Sequence, residues 1–256
     1  MSEPVAVRAG APFEDPIHEG RRLVDAATQS GLTLRLLGGV AVYLQSPPAG
    51  PLLPRAIGDI DIVIRRGGRT AVTRLLTTAG YTPDEMFNTL HGARRLAFVD
   101  ETNQRKLDVF IEEFSMCHDV PIAGRLDRDP YTIPLAELLL TKLQIVQLNE
   151  RDQRDIYSLT YHHPMANGRE PGVEGAFIAE ICAKDWGLWR TVKATIESCR
   201  KNVAGYDIDP EASALISERL AGLWARIEQE PKSAKWRLRS RVGDRMRWYN
   251  EPEENL

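Results

Sequence analysis

Two aspartates one residue apart, Asp59 and Asp61, lie in the segment Gly58-Asp59-Ile60-Asp61-Ile62. Side chains alternate along an extended strand, so both carboxylates fall on one face and both isoleucines on the other. Such a pair suits Mg²⁺, which takes one or two carboxylates and completes its shell with water and substrate phosphates. Alternating acids also occur on ordinary exposed strands. Here, however, they interrupt a strongly apolar run, residues 57–64, where an unpaired charge is costly to bury. A third acid, Asp108, sits in a second alternating segment, with Leu107, Val109 and Ile111 on one side and Asp108 and Phe110 on the other. Three acids can therefore meet in an antiparallel or mixed sheet. Upstream, Gly38-Gly39 allows the backbone to approach a phosphate closely, and the helix that follows offers unpaired N–H groups at its positive end. Arg55, four residues before Asp59, is placed either to contact a nucleotide or to pair with the acids.

The elements that must position these residues follow from periodicity and punctuation. Residues 1–16, with Pro4, Pro12 and Pro16, read as an extended arm, and 17–30 as a helix closed by Gly31. A short strand over 33–37, the glycine pair and a helix over 40–44 come next. The proline-rich stretch 46–54 cannot continue a helix and is expected as a surface loop. A strand over 58–64, a helix over 70–78 and a hairpin of strands 94–99 and 106–111 complete a core assigned to 17–128. From 129 the pattern is helical, with helices expected at 134–148, 151–161, 174–184, 188–202 and 210–228, then a basic segment. Residues 163–171, with Asn167 and Gly168, read as a loop. The expected class is α+β: a mixed sheet flanked by helices, followed by a C-terminal helical domain over 129–256.

Bulk properties bound the function. With 256 residues of which 43% are hydrophobic, the chain can bury a core unaided. No run of about 18 apolar residues occurs and the first ten residues lack the pattern of a signal peptide, so no membrane partner and a cytoplasmic location are expected. Three cysteines, Cys117, Cys182 and Cys199, are odd in number and widely spaced, which reads as core packing and not as a disulfide or zinc site. A net charge of −3 argues against a protein that simply coats nucleic acid. Yet Lys232, Lys235, Arg237, Arg239, Arg241, Arg245 and Arg247 face a single acid, Asp244, before an acidic tail at Glu251, Glu253 and Glu254. Interleaved with Trp236, Trp248 and Tyr249, these cations either contact phosphates and unpaired bases or form the solvated face of a docked helix.

Taken in order, Leu37-Gly38-Gly39, Arg55, Gly58-Asp59-Ile60-Asp61 and Lys106-Leu107-Asp108-Val109 resemble the nucleotidyltransferase superfamily that includes DNA polymerase β, over roughly residues 30–115. The interval from Gly39 to Asp59 is longer than the family pattern, with the proline-rich loop inserted. Further on, Glu137-Leu138-Leu139-Leu140-Thr141-Lys142-Leu143 and Arg151-Asp152-Gln153-Arg154-Asp155-Ile156 resemble the AbiEii-type branch, which includes toxins of toxin–antitoxin pairs. The resemblance implies an enzyme that moves an NMP from an NTP to a hydroxyl, with two Mg²⁺ ions held by Asp59, Asp61 and Asp108. Gly38, Gly39, Arg55 and Lys142 would bind the nucleotide, and Asp155, with Asp152 as its rival, would complete the site. Lys142 shares a helical face with Leu138, Leu139, Ile145 and Val146, so it either snorkels from an apolar stripe or holds triphosphate oxygens. Asp155 could instead pair with Arg151 four residues earlier.

The implied partners are an NTP, an RNA acceptor such as a tRNA 3′ end reached through Lys235, Arg237, Arg239 and Arg241, and a cognate antitoxin. Two other classes stay open: a catalytically silent nucleic-acid or partner-binding module of the same fold, and a small-molecule, antibiotic-type nucleotidyltransferase. The histidines His91, His118 and His162-His163 have no metal-ligand spacing, and the last pair is placed to satisfy helix-terminal carbonyls.

Overall fold

The computed structural model describes residues 10–166 and 170–251. They divide into two compact units, one of residues 10–45, 56–115 and 120–134, the other of residues 46–55, 116–119, 135–166 and 170–251. The class is the expected α+β: a mixed five-stranded sheet flanked by helices, and a helical C-terminal region.

In the first unit, α1 (Pro16–Gln29) starts at Asp15, whose carboxylate accepts from the N–H groups of Ile17 and His18, with proline at the first helical position. Residues 1–9 of the expected arm lie outside the described residues. Residues 12–14 are pinned by their carbonyls: Arg105 donates to Glu14 O and Phe13 O, and Asn103 to Pro12 O. Next come β1 (Leu34–Leu37), α2 (Gly38–Leu44), β2 (Asp59–Ile64), α3 (Arg69–Thr78), β3 (Thr82–Pro83), α4 (Glu85–His91), β4 (Arg95–Asp100) and β5 (Arg105–Ile111). The sheet order is β1-β2-β5-β4-β3, with β2 and β5 parallel and the other pairs antiparallel. Ile60, Ile62, Leu107 and Val109 are fully buried on one face. The outer edge of β1 is covered where Leu36 N–H donates to Tyr131 O and Ile133 N–H donates to Leu36 O, both at 2.9 Å. The helix α4 was not expected from the sequence. It is capped by Asp84 but buries no residue, so no apolar period announces it.

The second unit holds α5 (Leu135–Leu143), α6 (Glu150–His162), α7 (Gly175–Lys184), α8 (Trp186–Asn202), α9 (Pro210–Gln229) and α10 (Ala234–Ser240). Asn149, Asp185, Asp209 and Ser233 accept backbone N–H groups at the starts of α6, α8, α9 and α10. The helix expected over 134–148 stops at Leu143. Beyond it, Gln144 accepts from His118 N–H and Ile145 O accepts from Thr195, after which Asn149 opens a new helix. The proline-rich stretch is irregular as expected but is no mere surface loop. Its Leu53 is buried, and Arg154 and Ser158 of α6 bond Pro54 O and Leu53 N–H. In the expected loop 163–171, Met165–Ala166 pairs with Val173–Glu174, while Asn167 and Gly168 lie outside the described residues. At the end of α6, His163 N–H donates to Leu159 O at 3.1 Å, while the carbonyls of Thr160 and Tyr161 accept from Arg219. All three cysteines are free and buried, and burial pushes the Cys199 thiol up to about 12. No helix among the described residues is long and apolar enough to cross a membrane.

Burial pulls the imidazoles of His118 and His162 below the ordinary value of 6.5. A depressed histidine favours the neutral folded form, so on acidification the unfolded chain takes the proton first. The stability this supplies is complete above the unfolded value and declines as pH falls below it. Thermal unfolding is expected to be lower at about pH 5.5 than at about pH 7.5, with a smaller difference in His118→Gln. Equal differences in variant and wild type would remove His118 from the account.

Candidate functional site

The register of the sheet decides where the acids go. In the parallel β2–β5 pair Asp61 stands opposite Asp108 and Asp59 opposite Lys106, all on the face away from Ile60 and Ile62. Asp59 is exposed, and its carboxylate makes no hydrogen bond or ion pair among the described residues. Across the β1–β2 pair Asp61 faces Leu37, the residue before Gly38. Gly38 has φ +64, and a Cβ there would be driven into the Asp61 carboxylate. Only glycine allows that turn and that approach together. The first turn of α2 has no side-chain cap.

Asp108 is more constrained than its neighbours. Arg95 on β4 grips it bidentately, Nε to Oδ1 at 3.1 Å and Nη2 to Oδ2 at 2.7 Å. The guanidinium lies between two rings, 5.6 Å from Phe87 and 5.2 Å from Phe110. Asp108 itself is only 7% exposed, so the pair neutralises a carboxylate that would otherwise be buried uncompensated. Among the described residues no group of three or more His, Cys, Asp or Glu side chains is gathered to hold a metal ion. Asp59 and Asp61 nevertheless form a hard-oxygen pair of the kind Mg²⁺ takes. Asp108 joins such a set only when Arg95 releases it. Sequence reasoning passed over Arg95, although a hairpin pairing Asp100 with Arg105 puts Ala97 opposite Asp108 and Arg95 two residues along on the same face.

The helical unit has its own charged centre. Arg55 donates bidentately to Asp155, at 2.8 Å through both Nε and Nη2. Lys142 lies 2.9 Å from Asp155 and 3.0 Å from Asp152. Arg55 thus pairs with an acid of its own unit, and Asp155 pairs with Arg55 and Lys142 and not with Arg151. Lys142 does not snorkel to solvent: its side chain is 12% exposed. Burial alone would push its ammonium down, but Asp155 and Asp152 more than offset that and hold it above its ordinary value. Burial would likewise raise the Asp155 carboxyl, and the hydrogen bond from Arg55 with the charge of Lys142 holds it down instead. Of the C-terminal cations, Lys235, Arg237 and Arg241 are exposed, whereas Arg239 is committed to the carbonyls of Gly243 and Met246, each at 2.8 Å.

No protein-family model matches the chain, and no curated protein matches it in sequence.

Removing Asp155 takes from Arg55 and Lys142, whose side chains are each only 12% exposed, the carboxylate they share. Breaking a buried pair this way costs on the order of 3–5 kcal/mol. Asp155→Ala should lose about that much in urea unfolding followed by circular dichroism, and a loss below about 1 kcal/mol would mean the network contributes only what surface pairs do.

Proposed function

We propose that the protein is a Mg²⁺-dependent nucleotidyltransferase that moves an NMP from an NTP to a hydroxyl acceptor. The observation that carries this reading is the packing of Asp61 between the Gly38 turn and Asp108, with Asp59 open on the same face. Bound Mg²⁺ would neutralise the triphosphate and stabilise the charge that develops on pyrophosphate as it leaves. Asp59 and Asp61 would hold the ions, and Gly38-Gly39 would let the backbone lie against phosphate oxygens. A new bond forms between the acceptor oxygen and the α-phosphorus as the bond to the bridging α–β oxygen breaks. The acceptor's proton is then free to pass to a carboxylate, for which Asp108 is the candidate once Arg95 lets it go. The exposed cations Lys235, Arg237 and Arg241 favour an RNA acceptor, such as a tRNA 3′ end, over a small molecule. The resemblance to the AbiEii-type branch extends the reading to a toxin with a cognate antitoxin.

One observation favours a second reading. The hold of Arg95 on Asp108 removes an acid that two-ion chemistry would use, which suits a silent binding module of the same fold. Such a module shows no metal- or NTP-dependent rise in thermal stability, whereas a nucleotide-binding enzyme gains stability by mass action.

The transfer reading is tested by incubating the protein with labelled NTPs, Mg²⁺ and total RNA. Label should pass to RNA with the wild type and fall by about 100-fold or more with Asp59→Ala/Asp61→Ala. Equal labelling by the two proteins rules the reading out.

A further inference from the structure

The helical unit contains a cavity of about 370 Å³ where the ends of α7 and α10, the start of α8 and the segment 247–250 converge. Its walls are aromatic. Trp186 meets Trp248 edge-on with centroids 6.3 Å apart, and Trp248 meets Tyr249 at 5.5 Å. These rings are held in place. The indole Nε1 of Trp248 donates to Thr191 Oγ1 at 3.1 Å, the same hydroxyl that lies 2.8 Å from the buried ring of His118. Asn250 N–H donates to Cys117 O at 2.9 Å. Arg239 lies 4.5 Å from the Trp186 ring while its nitrogens bond Gly243 O and Met246 O, so it fixes the turn that carries Trp248.

The charge at this cavity is cationic. Lys184, Lys235, Arg239 and Arg247 line it against Asp119 and Asp185, and Asp185 Oδ1 accepts from the Gly187 and Leu188 N–H groups at the start of α8. Lys184 is engaged by Glu180 and Arg247 by Glu251. Lys235 is exposed and has no partner among the described residues. The Trp236 indole Nε1, in the same wall, is buried without a hydrogen-bond partner. The cavity thus offers ring surfaces and, in Lys235, an ammonium without a partner among the described residues.

We propose that this cavity binds a nucleotide, with the base against the Trp248 and Tyr249 rings and a phosphate at Lys235. An aliphatic anion leaves the rings unused, and a neutral aromatic leaves Lys235 unused. Stacking on fixed aromatics combined with one backbone cation is the chemistry by which proteins hold single nucleotides regardless of sequence. The volume lies near the lower end of the ~300–1,000 Å³ range of small-molecule sites, which suits one nucleotide. Apart from Lys235, which is also an acceptor contact in the transfer reading, the site uses none of the residues assigned to transfer, and it needs neither Mg²⁺ nor a triphosphate, so the two readings fail separately. The nucleotide is either free or the unpaired end of an RNA strand.

The test titrates the full chain with AMP and, separately, with a 5′-labelled single-stranded oligoadenylate in metal-free buffer, reading tryptophan fluorescence and the anisotropy of the label. At least one ligand should quench saturably. Lys235→Glu, at an exposed position, and Tyr249→Ala, at a partly exposed one, should each weaken binding by about tenfold or more. Arg200→Glu/Lys201→Glu, on exposed cations at the end of α8 outside the cavity, should change it by less than about threefold. Thermal melts establish that each variant is folded. Binding of AMP assigns a free nucleotide, and binding of the oligoadenylate alone assigns a strand end. Absence of saturable binding by either ligand overturns the proposal. So does equal weakening by the Arg200/Lys201 pair, which would mean diffuse attraction to a charged surface.

Discussion

The parallel pairing of β2 with β5 is the constraint on which the sheet's chemistry depends. Ile60, Ile62, Leu107 and Val109 are fully buried on one face, and each is worth on the order of 1.5–3 kcal/mol. Like charges directly opposite in a sheet oppose this by only about 0.2–1 kcal/mol. Hydrophobic burial therefore wins and forces Asp61 beside Asp108. A one-residue slip would turn every isoleucine to the acids' face, so the register is fixed by the side that does no chemistry. Arg95 compensates where the arrangement is most costly, at the acid of the pair that is most buried.

Much of this was legible in the sequence. The Asp-Ile-Asp alternation gave the face of each side chain, the apolar alternation around Asp108 gave a partner strand, and the Gly38-Gly39 pair marked a turn, in which Gly38 takes φ +64. What stayed hidden depends on distant pairing. Arg95 lies 13 residues from Asp108, and its role appears only once the hairpin register is fixed. Arg55 and Asp155 are 100 residues apart, and no local spacing distinguishes that bond from an i,i+4 pair with Arg151. The burial of Leu53 within a proline-rich stretch was invisible because prolines report where a helix stops, not where a loop packs.

The helical unit follows a different logic from the sheet. Its buried charges, Arg55, Lys142, Asp152 and Asp155, satisfy one another and fasten the proline-rich segment to α6. Its basic C-terminal segment is not a uniform cationic face. Arg239 is consumed in shaping a turn and Arg247 is engaged by Glu251, while Lys235 is exposed and has no partner among the described residues. A net-charge argument averages over these states, and the individual bonds separate them.

The central proposal is that Asp59 and Asp61 hold a divalent metal ion on the sheet face they share with Asp108. Its most direct test is titration with Mn²⁺ as a Mg²⁺ surrogate, with the free ion read by electron paramagnetic resonance in the presence of a non-hydrolysable NTP analogue. The account predicts saturable binding by the wild type that disappears in Asp59→Asn/Asp61→Asn, with both proteins equally folded by thermal melt. Binding of equal strength in the two proteins would contradict it.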